Sequence, residues 1–252
     1  EVGCAPHSVS IEVDPTVKPV VSPLRRIPFK LLPKVKAEID RMARIGIIEG
    51  VSEPTEWVNQ MVVVQKKDGS LRVCMDPRPL NKAIRRPHFP FPTIEDVSTK
   101  LRGANIFCKL DAKSGFWMLP LDEESSKLCT FVTPWGRFVF KRLPFGVSCG
   151  PELFHKFISS VFKDLENVFT FQDDIFLWAD SKKELEKIVG KVLTAAQNNG
   201  IKFNKTKCEF FVDKVTFLGH TFSKLGVHVD EEKVRAISAL KPPHDKKSLQ
   251  RI

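Results

Sequence analysis

The sequence predicts an α+β fold, in which amphipathic helices pack against antiparallel strands. Apolar residues recur at helical spacing in 151–165 and again from 182 to about 198. Short apolar runs flank turn residues within 61–75, 128–146 and 169–178, a pattern typical of β-hairpins. Strands and helices do not alternate regularly, as they would in a parallel sheet. These observations favour helices packed on antiparallel sheets.

The first part of the chain is expected to contain an extended segment, one helix and one hairpin. Residues 1–33 are rich in proline and lack periodicity, so we expect an extension or linker, PPII-like in places. A helix is predicted from about Lys34 to Arg44, with Gly46 ending it. In WVNQMVVVQKKDGSLRVCMD, two apolar runs flank the turn at 67–70 and predict a β-hairpin.

The middle of the chain alternates short strands with one strong helix. A proline-punctuated connection carries a short predicted helix, Ile94–Leu101, before a strand at 105–111. Two strands are expected within 128–146, around the turn at 134–136. The amphipathic helix at 151–165 has a proline in its first turn, where a missing N–H is tolerated.

The last part of the chain begins with the stretch FTFQDDIFLW, residues 169–178, which predicts strand, turn and strand. Ser181 and Glu184 have the spacing of a capping box, and Gly200 ends the helix that follows. A further hairpin is predicted within 208–229. The final residues KPPHDKKSLQRI begin with a Pro-Pro break and then predict the start of another helix.

Charge and composition limit the class of partner. The 252 residues carry a formal net charge of +10, which suits a polyanionic partner, nucleic acid before membrane. A merely basic soluble protein is the alternative that the charge alone leaves open. No apolar stretch reaches the roughly 18–20 residues of a membrane span, and no signal peptide is recognisable, so an intracellular protein is expected. The six cysteines contain no C-x-x-C pair, and no structural zinc is expected.

Two adjacent carboxylates, Asp173 and Asp174, lie inside an otherwise apolar run. Like charges in such a setting repel and are costly to desolvate. Asp111 ends another predicted strand, and if the strands are neighbours the three carboxylates converge. Divalent cations would offset their repulsion, and Mg²⁺ prefers such hard oxygen ligands. The alternative is a solvated hairpin turn, for which Asp is well suited.

Six motifs decide between these alternatives. They are KKDGSLRVCMDPRPLNK (66–82), KLDAKSGFWMLPL (109–121), RLPFGVSCGPELF (142–154), FQDD (171–174), NKTKCEF (204–210) and FLGH (217–220). In this order and at these intervals, the chain resembles the reverse transcriptase of gypsy-type LTR retrotransposons and retroviral-like elements. The resemblance covers roughly residues 20–250.

The family fold is a right hand with fingers, palm and thumb. The resemblance implies an antiparallel palm sheet backed by helices, with the thumb largely absent from this chain. The implied division is an N-terminal extension at 1–33, fingers at 34–104 and 119–146, palm at 105–118 and 147–230, and the start of a truncated thumb at 231–252. We therefore expect a fragment of a larger pol product.

The resemblance implies an RNA-directed and DNA-directed DNA polymerase. Asp111, Asp173 and Asp174 would be the catalytic and metal-binding carboxylates, with Asp174 coordinating less directly. Two Mg²⁺ ions, for which Mn²⁺ can substitute, would join a dNTP to a primer 3′-hydroxyl with release of pyrophosphate. The implied partners are a primed RNA or DNA template, dNTPs and further pol domains (protease, RNase H and integrase), without a membrane. The implied location is the cytoplasm, within a virus-like particle, or the nucleus, without secretion.

Other site residues follow position by position from the resemblance. The residues implied at the incoming dNTP are Lys66, Lys67, Arg72, Ala112, Phe116 and Phe145. Those implied at template and primer are Gly146, Pro151, Phe171, Gln172, Leu218, Gly219 and His220. Lys205 or Lys207 would protonate the departing pyrophosphate. The fingers cations could instead be an ordinary charged hairpin tip, and Phe116, the implied sugar gate, could instead be a core residue.

One departure from the family pattern bears on activity. Phe171 stands where the family usually has Tyr, and the chain as a whole contains 20 Phe and no Tyr. The stacking surface remains but the hydroxyl is lost, so impaired fidelity or efficiency is expected. A catalytically impaired or domesticated domain that only binds nucleic acid is the alternative. A polymerase that makes RNA is disfavoured by bulky Phe116, and no hydrolase motif is present.

Overall fold

The computed structural model describes residues 2–65, 69–101, 103–113, 115–229 and 231–239, and these form an α+β fold, as predicted. The α-helices are α1 (Leu32–Arg44), α2 (Arg78–Asn81), α3 (Ile94–Ser98), α4 (Glu123–Leu128), α5 (Gly150–Phe162), α6 (Lys182–Asn198) and α7 (Glu231–Ser238). Short 3₁₀ helices span Phe29–Leu31 and Gly115–Met118. The strands are β1 (Ile48–Val51), β2 (Asn59–Gln65), β3 (Leu71–Asp76), β4 (Ile106–Asp111), β5 (Thr130–Thr133), β6 (Gly136–Phe140), β7 (Val168–Phe171), β8 (Asp174–Ala179), β9 (Glu209–Val212), β10 (Lys214–Phe217), β11 (His220–Ser223) and β12 (Gly226–Val229).

A five-stranded sheet has the order β1-β6-β5-β2-β3. The predicted hairpin of β2 and β3 is confirmed, with six residue pairs from Gln60↔Asp76 to Gln65↔Leu71. Most neighbours are antiparallel, while β2 and β5 pair in parallel over two residues. The apolar face of α1, formed by Val35, Ile39 and Met42, is fully buried. This sheet and α1 therefore form one packed unit.

A four-stranded sheet has the order β7-β8-β4-β9 and carries the predicted carboxylates. The predicted strands at 105–111 and 169–178 are antiparallel neighbours, and Asp111 pairs directly with Asp174. Every side chain from Ile175 to Ala179 on β8 is buried, as expected of a central strand with helix α6 packed beside it. The tight turn between β7 and β8 therefore lies at one end of a well-buried sheet.

The stretch 208–229, predicted as one hairpin, forms two structures. β9 joins the four-stranded sheet as an edge strand beside β4. β10, β11 and β12 form a separate three-stranded antiparallel sheet. The apolar pattern is continuous across this stretch, but the bend at exposed Asp213 separates the two pairings. The prediction of a single hairpin was wrong because pairing with β4, distant in sequence, determines where β9 lies.

The N-terminal segment is extended, as predicted, but it packs against the rest of the chain. The Cys4 amide donates to the Gly200 carbonyl at 3.1 Å, and the Ala5 amide donates to the Met118 carbonyl at 2.8 Å. Ala5 and Ile11 are buried. A free linker would make no such contacts, so this segment is better described as part of the folded body.

Two hydrophobic clusters stabilise the structure. The larger one runs from α1 through the five-stranded sheet to α5 and α6. The smaller one is mostly aromatic, with Phe107, Phe176 and Phe217 stacked at centroid distances of 5.1–5.8 Å. It joins the four-stranded sheet to the three-stranded sheet.

The C-terminal region is described only in part. α7 ends at Ser238, and the helix predicted within the last residues lies outside the described residues. Within the described ranges, none of the helices has both the length and the apolar character that crossing a bilayer requires.

Candidate active site

The predicted carboxylates sit at adjacent strand ends. Gln172 and Asp173 form the two-residue turn that joins β7 to β8, and Gln172 adopts a φ of 50°, in the left-handed region. The amide of Ala112, directly after β4, donates to the Asp173 carbonyl at 2.7 Å. Asp111 and Asp173 are therefore held close to each other by backbone pairing and by the geometry of the turn.

Gly115 makes room for the Asp173 side chain. A Cβ atom on Gly115 would lie 2.4 Å from Asp173 Oδ1 and 2.8 Å from the ring of Phe154, closer than real Cβ contacts. Any side chain at position 115 would therefore displace the carboxylate or the ring. The sequence contained this signal within the motif KLDAKSGF, but its reason becomes visible only in three dimensions.

The carboxylates influence one another's ionisation. Burial, followed by the charges of Asp111 and Asp174, raises the pKa of Asp173 to about 6. Burial also raises the pKa of Asp174, and nearby Lys109 opposes that rise. Lys207 Nζ donates to Asp111 Oδ2 at 3.2 Å. Lys109 and Lys207 therefore offset part of the repulsion among the three carboxylates.

Asp173 and Asp174 differ in their surroundings. Asp173 lines a cavity together with Asp111, whereas Asp174 forms an ion pair with Lys109 at 3.5 Å. In the part of the chain that the structure describes, no three His, Cys, Asp or Glu side chains are grouped closely enough to hold a single ion. Asp111 and Asp173 therefore share the cavity lining, whereas Asp174, which pairs with Asp111 across the two strands, contacts Lys109, two residues before Asp111 on β4. The role of Asp174 in metal binding stays a prediction.

The cavity has a volume of about 550 Å³ and lies between the two large sheets. Asp111 and Asp173 of the four-stranded sheet form its acidic side. Arg72 of β3, Lys113 and Lys207 contribute positive charge to its lining. The cavity therefore suits a ligand that carries both metal ions, which the carboxylates would bind, and phosphates, which the cations would bind.

Arg72 is held at the cavity by an aromatic ring. Its guanidinium lies over Phe145, 4.9 Å from the ring centroid. Both residues line the cavity, as does Ala112. Lys66 and Lys67, predicted beside Arg72 at the dNTP, lie outside the described residues. Arg72 is thus the predicted fingers cation that the structure brings to the carboxylates.

Arg41 and Glu38 of α1 also line the cavity, and no motif predicted them. Arg41 donates two hydrogen bonds of 2.7 Å to the Glu38 carboxylate, which raise the pKa of Arg41. The pair has the i,i+3 spacing of many surface helix pairs. Nothing in the sequence distinguishes it from such pairs, because its position depends on how α1 packs beside β3.

Phe116 lies behind the cavity lining. Its ring packs against Phe145 at 5.5 Å and against Phe154 at 5.7 Å. It is partly buried and contacts the larger hydrophobic cluster. Both earlier interpretations of Phe116, a sugar gate and a core residue, are compatible with this environment, and the gate stays a prediction.

The residues predicted at the template, Gly146 and Pro151, do not line the cavity and lie on the segment that leads into α5. A Cβ on Gly146, where φ is +93°, would lie 3.3 Å from Pro77, so only glycine suits this approach. Asn81 Nδ2 donates to the Gly146 carbonyl at 3.0 Å, and Asn81 Oδ1 accepts from the Ser148 amide at 2.9 Å. Pro151 follows in the first turn of α5, as predicted.

The residues predicted at the primer do not line the cavity. Leu218 and Gly219 form the turn between β10 and β11, with φ values of 50° and 73°. The ring of His220 contacts the Leu218 carbonyl through Nδ1 at 3.1 Å. Of the two predicted proton donors, Lys207 lines the cavity and Lys205 does not.

Phe171, next to the turn of Gln172 and Asp173, packs into an aromatic group with a buried histidine. Phe91 lies 5.9 Å from Phe171 and stacks on His155 at 4.9 Å. His155 is 2% exposed, and its Nδ1 has no hydrogen-bond partner among the described residues. Burial lowers the pKa of His155. The predicted stacking surface of Phe171 is therefore present in the structure.

Comparison with known proteins identifies the sequence pattern. The model of the family "Reverse transcriptase (RNA-dependent DNA polymerase)" matches residues 64–222. The Retrovirus-related Pol polyprotein from transposon 412 of Drosophila melanogaster is 30% identical over 243 residues, which are 93% of this chain and 20% of that protein. The Transposon Tf2-3 polyprotein of Schizosaccharomyces pombe is 30% identical over 250 residues, 97% of this chain and 18% of that protein. The chain thus spans about a fifth of the length of these curated relatives.

Solved structures show the same fold. The foamy viral protease-reverse transcriptase in complex with double-stranded DNA has a TM-score of 0.87 and 24% identity, covering 100% of this chain and 44% of that one. The same type of protein in complex with an RNA/DNA hybrid has a TM-score of 0.83 and 23% identity, covering 100% and 34%. The predicted fold of fingers and palm is therefore confirmed.

Proposed function

The chain belongs to the reverse transcriptase family, and we propose that it copies RNA and DNA templates by joining dNTPs to a primer 3′-hydroxyl. The observation that carries this proposal is the cavity in which Asp111 and Asp173 of one sheet oppose Arg72 of another. Because the chain spans about a fifth of its curated relatives, protease, RNase H and integrase domains in a longer polyprotein are part of the proposal. We also propose that this chain is divided into fingers at 34–104 and 119–146 and palm at 105–118 and 147–230.

The donor set of the cavity fits magnesium. Mg²⁺ is typically held by one or two carboxylates, with its remaining ligands from water and substrate phosphate. Asp111 and Asp173 would hold two Mg²⁺ ions, or Mn²⁺ in their place, and Asp174 would support them through its place beside Asp111. When bound, the ions supply Lewis acidity that activates the 3′-hydroxyl and neutralises charge on the pyrophosphate.

The cations of the cavity bind the triphosphate. Arg72 presents a planar fork of N–H donors that matches phosphate oxygens, and Phe145 limits the orientations of its guanidinium. Lys113 adds a point charge from the palm side. Lys207, which already contacts Asp111, is the better candidate for protonating departing pyrophosphate, because it lines the cavity and Lys205 does not.

The remaining predicted residues position sugar, template and primer. Phe116 excludes a 2′-hydroxyl through its bulk behind Phe145. The template base pair packs on Gly146 and Pro151, whose segment is fixed by Asn81. The residues proposed to hold the primer end are Phe171, Gln172, Leu218, Gly219 and His220.

A protein that binds primed template without polymerising is the second candidate. Phe171 favours it, since the hydroxyl usual at this position in the family is missing. Every carboxylate of the motif is nevertheless present, and the aromatic surface of Phe171 is packed in place. We therefore favour the polymerase.

Primer extension on an RNA template separates the two candidates. The chain is supplied with dNTPs and Mg²⁺, and Asp173→Asn is assayed beside it, with exposed Asp164→Asn as the matched control. Extension by the chain and by the control, and none by Asp173→Asn, is expected. Fluorescence anisotropy of the same primed template should show nearly equal binding by all three proteins. Extension by Asp173→Asn at the rate of the chain would refute the site, and binding without extension by any of them would establish the second candidate.

A further inference from the structure

Residues 2–11, here named the N-terminal strap, reach the cavity of the proposed active site. The strap runs along the body of the fold without forming a helix or a sheet strand. Its first residue, Val2, lines the cavity together with Asp111 and Asp173. The proposed mechanism gives the strap no part, and the strap precedes residues 64–222, the range that the family model matches.

Two glycines let the strap cross the chain just after α6 at very close range. A Cβ atom on Gly3 would overlap the carbonyl oxygen of Gly200, and one on Gly200 would overlap that of Cys4. Backbone atoms cannot turn aside as the end of a side chain can, so the crossing depends on glycine at both positions. The Cys4 amide also donates to the Gly200 carbonyl at 3.1 Å. The strap is therefore fixed to the segment that follows α6.

The strap is also bound to the 3₁₀ helix of Gly115–Met118, on the same side of the cavity. The Ala5 amide donates to the Met118 carbonyl at 2.8 Å. Arg142 donates to the carbonyls of Gly3 and Met118, at 3.5 Å each. The strap thus joins the 3₁₀ helix to the chain after α6.

Residues 200–207 lead from the crossing to the carboxylate. The Asn204 amide donates to the Asp111 carbonyl at 2.8 Å, and the Lys207 amide donates to the Asn204 carbonyl at 3.0 Å. Lys207 Nζ then donates to Asp111 Oδ2 at 3.2 Å. A short, hydrogen-bonded stretch of backbone therefore connects Gly200 with the Lys207 ammonium.

The position of the Lys207 ammonium depends on this backbone. Its side chain is 64% exposed, and an exposed ion pair fixes a lysine only weakly. Residues 200–207 form neither helix nor strand and have a single bridge, between Phe203 and Ala112. The contact of Gly200 with the strap is therefore one of the few restraints on where Lys207 lies.

We propose that Gly3 and Cys4 are positioning residues for the reaction, because their crossing with Gly200 keeps the Lys207 ammonium at Asp111. This inference rests on the proposed function, which gives Lys207 the proton for the departing pyrophosphate. Gly3 and Cys4 act through Lys207 and are assigned no contact with substrate. The alternative is a strap that only stabilises the fold by burying Ala5 and Ile11.

Two pairs of variants test the crossing. Gly3→Ala places a methyl group against the Gly200 carbonyl, whereas Gly50→Ala adds the same group on β1, where the nearest atom, on the ring of Phe138, is 3.9 Å away. Cys4→Pro removes the N–H that donates to Gly200, whereas Cys4→Ala removes only the exposed thiol. Urea unfolding of all four variants verifies that they are folded under the assay conditions.

Single-turnover extension of a primed RNA template is measured at saturating dNTP and Mg²⁺. Because a small displacement of a catalytic group slows a reaction markedly, Gly3→Ala and Cys4→Pro should each lower the rate about ten-fold. The KM for dNTP should change by less than about two-fold, since the triphosphate contacts of Arg72 remain. Gly50→Ala and Cys4→Ala should keep the rate of the parent.

A combination with Lys207→Gln separates positioning from stability. A strap that only stabilised the fold would lower the rate equally with and without the lysine. Under the proposal, Gly3→Ala should cost less than about two-fold in Lys207→Gln, because both changes remove the same ammonium from Asp111.

Hydrogen exchange gives a measurement that is independent of activity. The Asn204 amide, which donates to Asp111, should exchange at least about ten-fold faster in Gly3→Ala than in Gly50→Ala. Unchanged exchange at Asn204 would overturn the inference whether or not the chain extends primers.

The two proposals fail differently. Extension at the rate of the parent by both Gly3→Ala and Cys4→Pro would overturn the inference and leave the polymerase intact. An equal loss from Gly3→Ala in the parent and in Lys207→Gln would do the same. No extension by the parent would refute the proposed function, and the inference with it.

Discussion

The carboxylates of the four-stranded sheet and the guanidinium groups of the five-stranded sheet and α1 line the same cavity, and they are held by different means. In the four-stranded sheet, Asp111 and Asp173 are placed by backbone register, a two-residue turn and the hydrogen bond from Ala112. In the five-stranded sheet and its helix α1, Arg72 and Arg41 are placed by side-chain contacts with Phe145 and Glu38. The acidic side is therefore rigidly specified, and the basic side depends on individual side chains.

The difference predicts two kinds of mutational effect. A change that moves the backbone-held carboxylates should reduce the rate of the chemical step. A change to a cation held by side-chain contacts should weaken nucleotide binding and leave more of the rate intact.

Gly115→Ala should have the largest effect of the variants outside the carboxylates. The added methyl group would lie 2.4 Å from Asp173 Oδ1, so the carboxylate or Phe154 must move. We expect the single-turnover extension rate to fall about 100-fold or more, which is about 3 kcal/mol in the barrier. Gly190→Ala on α6, where nothing lies within 4 Å, is the control and should keep the rate while gaining up to about 1 kcal/mol of stability. Equal extension rates for the two variants would show that the rate does not depend on the position of the Asp173 carboxylate.

Arg72→Gln tests the basic side. Loss of the guanidinium would remove the proposed charge-assisted contact to the triphosphate, so the KM for dNTP should rise about ten-fold or more while kcat falls less. Steady-state extension against dNTP concentration measures both. Exposed Arg44→Gln at the end of α1 carries the same change away from the cavity lining and should leave KM unaltered. A fall in kcat with an unchanged KM would show that Arg72 acts in the chemical step, as the carboxylates do, and not in dNTP binding.

Phe116→Ala tests a ring that packs between the two sides of the cavity, against Phe145 and Phe154. If it gates the sugar, discrimination against ribonucleotides should fall about ten-fold, measured as the ratio of kcat/KM values. Phe138→Ala, another partly buried ring of the larger cluster, should destabilise the fold without altering that ratio. Unchanged sugar discrimination in Phe116→Ala would assign the ring to the core.

The smallest predicted effect concerns pH and His155 beside Phe171. Burial lowers the pKa of His155, so near pH 6.5 the folded chain binds this proton less than the unfolded chain does. Stability should therefore fall as the pH is lowered through 6.5, between pH 7.5 and 5.5. Urea unfolding should show a correspondingly smaller loss for His155→Gln than for the parent and for exposed His88→Gln. Identical losses in all three proteins would show that the histidine is free to ionise in the folded state.

The sequence predicted most of the local elements because their signals are local. The helix α6 begins after Ser181, whose hydroxyl accepts from the Glu184 amide, and Gly200 follows its end at a φ of 66°. The strand that ends at Asp111 and the strand, turn and strand around Asp173 were expected from their apolar patterns and the tight turn. Each of these features is decided within a few residues.

The sequence failed where partners distant along the chain decide the outcome. The pairing of β9 with β4 divided a predicted hairpin, and contacts with Met118 and Gly200 turned a predicted linker into part of the body. Arg41 reached the cavity through the packing of a helix, which no pattern of spacing encodes.

The central claim is that Asp173 acts in the cavity while its neighbour Asp174 supports it from beside Lys109. The most direct test is the single-turnover extension rate of Asp173→Asn against that of Asp174→Asn on the same primed RNA template at saturating dNTP and Mg²⁺. Asp173→Asn should lose at least about 1,000-fold, about 4 kcal/mol in the barrier, and Asp174→Asn should lose distinctly less. A rate for Asp173→Asn equal to that of the parent, or higher than that of Asp174→Asn, would contradict the account.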